Sequence, residues 1–456
     1  MNGEIKGWVL NEFGTLDLNS RRLERRFHIA MSDLSDQPDA SIWLASGSRN
    51  NAKAVYRMLA NENFDKDSIL AAHRDTVSAR GGEYQVLLAV QDTMSVNYGS
   101  HAKTEGMGYN CEQTLGFNVH SCLLLTPDGI PLGLLGQSTV TREESSSREL
   151  SREEKRARPI EDKESFRWLE TMRAAASNAP ERATLVHIAD REGDIYELIA
   201  LAQQLEEKFV IRATQDRLDS DNSHAMQTLR ESMPVGKTTL TVQANHKKNT
   251  AEREALLTIQ YQYFNINRPK TRKNDPSIEP SVGLTLLRLA EESPPEGAEP
   301  IEWILMTNLV VGNAYDALRI AGYYRQRWKI ERFHFVLKSG CKIEKIQQRS
   351  AGRVELMILM YSIIAVHIMQ LTFLSRNAPD TPCDLIFSEI EWKTLHRAAN
   401  RTKTDAERPP PMAEAVRLVA KLGGFDGAKS DGAPGLKVIW IGLSKLFLLV
   451  AYREFL

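Results

Sequence analysis

Two short apolar runs each lead directly into an aspartate. In the first, Val86, Leu87, Leu88, Ala89 and Val90 precede Gln91 and Asp92; in the second, Leu185, Val186, His187, Ile188 and Ala189 precede Asp190. A near-continuous apolar run of this length reads as a strand buried on both faces, which needs a sheet covered by helices. A carboxylate in such a strand is costly if buried without a partner. Each aspartate is therefore expected at the sheet rim, where it can reach a metal or another partner. Between the runs, Pro127, Asp128 and Gly129 separate two apolar stretches, the mark of a hairpin. After Asp190, the spacing of Ile195, Leu198, Ile199, Leu201 and Ala202 predicts a helix. A plainer reading exists for the second aspartate, since Asp before a helix is a common cap. Asp194 is placed to cap that helix better than Asp190.

A third carboxylate sits in a charged helical pattern. On a helix, with Tyr324 taken as zero, Arg327, Glu331 and Lys338 fall at about 300°, 340° and 320°. They share one face. A carboxylate flanked by a phenol, a guanidinium and an ammonium suits a cation held beside phosphates. The plainer alternative is a surface helix laced with salt bridges. The net charge of −1 argues against a wholly basic nucleic-acid binder. Local charge differs: between residues 319 and 353 ten basic residues face only Glu331 and Glu344. That is the electrostatic footprint expected of a DNA-facing surface.

Taken together, these blocks resemble the bacterial cut-and-paste DDE transposases of the insertion-sequence-four family, the group that includes the transposon-five transposase. The resemblance rests on Tyr324, Arg327, Glu331 and Lys338 at the family's spacing, on the block from Ala189 to Tyr196, and on Gln91 to Ser95. Weaker similarity runs through residues 162–169, 208–213, 302–307 and 422–425. The implied fold is α/β: a ribonuclease-H-like catalytic core with a β-rich insertion, flanked by N-terminal and C-terminal helical domains. The implied activity is cleavage of the element's inverted-repeat ends and joining of the 3′-OH ends to target DNA, through a hairpin intermediate. Asp92, Asp190 and Glu331 would be catalytic and would bind two Mg²⁺ ions, with Mn²⁺ able to substitute. Tyr324, Arg327 and Lys338 would hold phosphates, with Arg212 as a further contact. Trp303 matches the family's base-stacking Trp, although a core Trp on a strand fits equally well. Trp328 is a second aromatic candidate.

The implied partners are double-stranded DNA, at element ends and target, and a second copy of the chain as a homodimer on paired ends. Residues 1–75 are expected to be a helical DNA-end-binding domain, in which Arg21, Arg22, Arg25 and Arg26 share a broad face; a solvated charged face is the alternative. The core is expected over 76–350, with the insertion at about 216–300 on the strand-like alternation there. Residues 142–163 and the basic stretches at 246–249 and 268–274 read as loops. A helical C-terminal dimerisation region is expected over 351–456, broken near Pro409 to Pro411 and at the Gly-rich stretch 423–435. Residues 356–374 are apolar enough to raise the question of a membrane span, but His367 and Gln370 favour a core helix. The four cysteines lack metal-site or redox spacing, and no signal peptide is apparent. A cytoplasmic, nucleoid-associated protein without membrane contact is the expectation. Two alternatives stay open: a catalytically silent DNA-end binder, and a metal-dependent nuclease without strand transfer.

Overall fold

The structure is a computed structural model and describes residues 5–99, 103–142, 151, 154, 158–242, 252–272, 275, 276, 278–296, 300–428 and 432–451. Its centre is one nine-stranded sheet in the order β3-β2-β1-β4-β5-β9-β8-β7-β6. The first five strands are β1 (Val86–Asn97), β2 (Gly116–Leu125), β3 (Pro131–Val140), β4 (Thr184–Ala189) and β5 (Lys208–Arg212). β1, β2 and β3 form an antiparallel meander, and β4 and β5 add in parallel on the other side of β1. The β2–β3 turn needs its glycine. Gly129 has φ +89°, and a Cβ there would lie 2.2 Å from Gln326 Oε1.

Alternate residues of the central strands feed two layers. Leu88, Val90, Leu123, Val186 and Ile188 join a core with Ile330, Phe333, Val354 and Met357. Leu87, Ala89, Cys122, Leu124 and Leu185 pack on the other face with Val77 and Ala175. Both faces are thus covered, which is why these strands read as unbroken apolar runs.

The remaining strands are β6 (Gly236–Val242), β7 (Arg253–Asn267), β8 (Ser281–Glu291) and β9 (Glu302–Thr307). β6, β7 and β8 fall within the stretch 216–300 expected to hold a β-rich insertion, and β9 lies just beyond it. They form no separate layer, because β9 pairs antiparallel with β5 and carries the sheet outward. The loop stretches 143–150 and 246–249 lie outside the described residues, as do 273, 274 and 429–431.

Among the described residues, five helices precede the sheet: Gly7–Glu12, Arg21–Asp36, Ile42–Ala45, Arg49–Met58 and Lys66–Gly81. The boundary expected at residue 75 falls inside the last of them. That helix is tied to β3, with Arg74 Nε donating to the Leu135 carbonyl at 2.7 Å and His73 Nε2 accepting from Leu134 N at 2.9 Å. At the other end, helix Ala351–Asn377 is the one described helix long and apolar enough to cross a membrane. It is a core helix: most of its residues are buried, and Gln370 donates to the Pro131 and Leu132 carbonyls. Helices Glu389–Asn400, Met412–Leu422 and Leu436–Ala451 follow, and all four cysteines are free.

Candidate active site

Sheet register brings the two aspartates together. β1 and β4 run parallel with Val90 beside Ile188, so two residues further on Asp92 stands beside Asp190. The expectation that the first strand ends at Asp92 is corrected, since β1 continues to Asn97, with Asp92 opposite Ser121 of β2. What ends at this point is β4. Asp92 therefore lies at a rim on one side only, and it is largely buried, its side chain 14% exposed. Burial, reinforced by the Asp190 carboxylate, pushes Asp92 up to about 7, against the pull of the Thr93 N–H and of Arg327. Asp190 also caps a single turn, accepting from Glu192 N at 2.8 Å. Asp194 does not cap the following helix, whose N-cap is Ile195. Its carboxylate instead accepts from Thr214 N and Gln215 N at 2.6 and 2.9 Å and pairs with Arg217, a structural role.

The third acid comes from across the cleft. The pattern read as one helix is broken: helix Ala314–Arg325 stops, Gln326 and Arg327 form a turn, and helix Trp328–Phe335 follows. The stretch Val336–Gly340, which carries Lys338, is a wider π-turn. The Arg327 guanidinium lies between two acids, 2.6 Å from Glu331 and 3.7 Å from Asp92. Arg327 is 7% exposed, and its Nε–H is buried without a hydrogen-bond partner.

Tyr324 is buried beside Arg327, and burial raises its phenol pKa. The Arg212 guanidinium, at the end of β5, pulls it back down through its charge, and Trp303 on β9 meets its ring edge-on at 5.7 Å. The structure therefore groups Arg212, Trp303, Tyr324 and Arg327 with the acids. Trp328 is 55% exposed, with the Arg327 guanidinium over its ring at 4.6 Å. Lys338 stands further off; its ion pair is with Glu344, at 3.6 Å. Arg22 and Arg26 lie elsewhere, in a groove between two N-terminal helices that Arg25, Asn51 and Arg57 also line.

Several neighbours of the acids were not singled out from the sequence. Arg167 donates to Thr93 Oγ1 at 3.0 Å and to Glu192 at 3.2 Å. His334 follows Glu331 by one helical turn; burial and the Lys338 and Arg327 charges lower it to about 3. Only the helical spacing of His334 could have flagged it beforehand.

Three family models match the chain: Transposase DNA-binding over residues 5–64, Transposase DDE domain over 164–366, and Transposase Tn5 dimerisation domain over 363–455. The chain is a DDE transposase related to the Tn5 transposase. The transposase binds DNA, forms homodimers, and carries a catalytic domain of a kind that uses divalent metal ions, generally Mg²⁺. The DDE match spans Asp190 and Glu331, whereas Asp92 lies before it. The case for Asp92 rests on register and contacts.

The donor set fits divalent cations. Hard carboxylate oxygens are their usual ligands, and a bound cation would offset both the burial and the Asp190 charge that raise Asp92. As the side chains stand, no three acid, His or Cys groups among the described residues converge on one ion. The Arg327 cation lies between two of the acids instead.

Proposed function

We propose that Asp92, Asp190 and Glu331 hold two Mg²⁺ ions, replaceable by Mn²⁺, and that the transposase uses them to cut its element's inverted-repeat ends and join the freed 3′-OH ends to target DNA. The observation that carries this reading is the in-register pair Asp92 and Asp190, bridged through Arg327 to Glu331. Bound there, the ions would supply activation of the attacking hydroxyl and stabilisation of the leaving oxygen.

The chain's own side chains do the positioning. Arg327 and Tyr324 grip a backbone phosphate next to the scissile one. Arg212 orients Tyr324, and Lys338 adds positive charge on the far side of the cleft. Trp303 offers a face to a base turned out of the helix, a contact worth about 1–3 kcal/mol, and Trp328 fills the gap left in the duplex. The first cut leaves a 3′-OH. That hydroxyl attacks the opposite strand, forming a new phosphodiester as the old P–O bond breaks, and the flanking duplex separates with the element end closed as a hairpin. Water reopens the hairpin, and the same 3′-OH attacks target DNA.

The N-terminal residues to about 75, with Arg22 and Arg26 in their groove, read the end sequence; residues from about 351 onward carry the dimer contact; and the catalytic core spans the interval. The test is a cleavage assay on DNA bearing the repeats that flank the gene, in Mg²⁺, with Glu331→Ala alongside. Nicks at the repeat ends, a hairpin band and joined products are expected, all absent in the variant. Repeat-specific binding with no cutting by either protein would indicate a silent binder. Cutting without hairpin or joined products would indicate a plain nuclease.

A further inference from the structure

Behind Asp92, on the opposite face of β1, six side chains form a continuous hydrogen-bonded chain from a cation to a carboxylate. Arg167 Nε meets Thr93 Oγ1 at 3.0 Å, and Thr93 Oγ1 meets His120 Nδ1 at 2.8 Å. His120 Nε2 meets Gln91 Oε1 at 3.2 Å, and Gln91 Nε2 meets His187 Nδ1 at 3.3 Å. His187 Nε2 ends the chain on Glu207 Oε2 at 3.2 Å. Gln91, His120 and His187 are each at most 2% exposed. Such groups are costly to bury, and here every link has a partner.

With both imidazoles neutral, the two ends fix the direction of every bond. A guanidinium can only donate and a carboxylate can only accept. Working back from Glu207, His187 donates through Nε2–H and accepts at Nδ1 from the Gln91 amide. The Gln91 carbonyl then accepts from His120 Nε2–H. His120 Nδ1 accepts the Thr93 hydroxyl, whose oxygen accepts from Arg167. All five bonds point one way, an arrangement in which each polarises the next. Burial, with Arg167 and His334 nearby, keeps His120 neutral, as the scheme requires.

Thr93 is the joint between this chain and the site. Its backbone N–H holds Asp92 Oδ1 at 2.8 Å, and its hydroxyl is clamped from behind. We propose that Gln91, His120, His187 and Glu207 are positioning residues that, through Thr93 and Arg167, fix the Asp92 carboxylate in its metal-binding orientation. The inference rests on Asp92 being a metal ligand. Partners behind a metal ligand are typically worth about 10–100-fold in metal affinity or activity.

The test uses the full-length transposase and its repeat-end DNA. Single-turnover cleavage is followed against Mg²⁺ concentration for wild type, His187→Leu, His187→Gln, Glu207→Leu and Asp92→Ala. His187→Leu and Glu207→Leu should each raise the Mg²⁺ needed for half-maximal rate by about tenfold, while metal-free end binding stays at the wild-type level. His187→Gln, which keeps a donor toward Glu207 and an acceptor toward Gln91, should recover most of that loss. The Thr93→Val, Glu207→Leu double variant should be no worse than the poorer single, because both cut one chain. Imidazole ¹⁵N shifts should show both histidines as Nε2–H tautomers.

An unchanged Mg²⁺ requirement in a folded Glu207→Leu protein, additive losses in the double variant, or an Nδ1–H tautomer at His120 would each overturn the proposal. Glu207 is partly exposed at the chain's end, so it carries the test should His187→Leu not fold. Wild-type cleavage by Asp92→Ala would instead overturn the assignment of the metal site, a separate result.

Discussion

Replacing Asp92 by Asn should make the metal-free transposase more stable above neutral pH. Asp92 is displaced from 3.8 to about 7, first by burial and then by Asp190. At about 1.36 kcal/mol per pH unit, ionising it in the fold costs ~4 kcal/mol. Little solvent screening applies at 14% exposure. A carboxyl raised above its unfolded value adds nothing unfavourable below about pH 4, where it is protonated in both states. Its cost grows as pH rises from about 4 to about 7 and is then constant. Asp92→Asn should therefore match wild type near pH 4 and gain progressively up to pH 7. For a chain of this size the gain is on the order of 5 °C in Tm. The assay is thermal unfolding in chelator from pH 4 to pH 8.5. Mg²⁺ should narrow the gap, because the cation binds only the charged wild-type site. A variant no more stable than wild type at pH 8, or a gap of constant size across the range, would refute the claim that burial and Asp190 strain this carboxylate.

Three other outcomes can be checked directly. Arg22→Ala and Arg26→Ala should each weaken end binding and reduce the slope of log affinity against log salt by about one, read by titration at several salt concentrations. Trp303→Ala should slow cleavage by about tenfold or more and abolish the fluorescence change of 2-aminopurine at the turned-out base; a Trp that only packs on Tyr324 would leave that signal intact. Gly442→Ala should disrupt pairing of ends while single ends still bind, as seen by gel shift. Its Cβ would lie 1.9 Å from the Val419 carbonyl oxygen, and helices Met412–Leu422 and Leu436–Ala451 would have to separate.

Much of the site was legible because its signals are local. The apolar runs before Asp92 and Asp190 reflect burial on both faces, and the four-residue spacing of Arg327 and Glu331 reflects their ion pair, whereas Tyr324 and Lys338 lie on separate helical segments. What escaped depends on contacts between distant segments. The break at Gln326 and Arg327 has no Pro or Gly to announce it; the hairpin tip at Gly129 packs against it from outside the helix. The joining of β9 to β5 is a tertiary pairing that alternation alone cannot reveal. Glu192 is paired with Arg167 at the edge of the site, a contact between segments far apart in sequence.

The three acids owe their proximity to different devices, and this sets how each can fail. Asp92 and Asp190 are aligned by parallel register, so a slip of one residue would turn one of them to the opposite face. Glu331 has no sheet to align it. Its helix is held against the far end of β1 by the segment that follows the π-turn, where Tyr98 donates to the Ile343 carbonyl at 2.7 Å and Glu344 accepts from Asn97 N at 3.0 Å. Glu344 also holds Lys338. One surface carboxylate thus ties the end of the Asp92 strand to the basic end of the Glu331 segment. Losing it should loosen Glu331 and Lys338 together while leaving the aspartate pair in register.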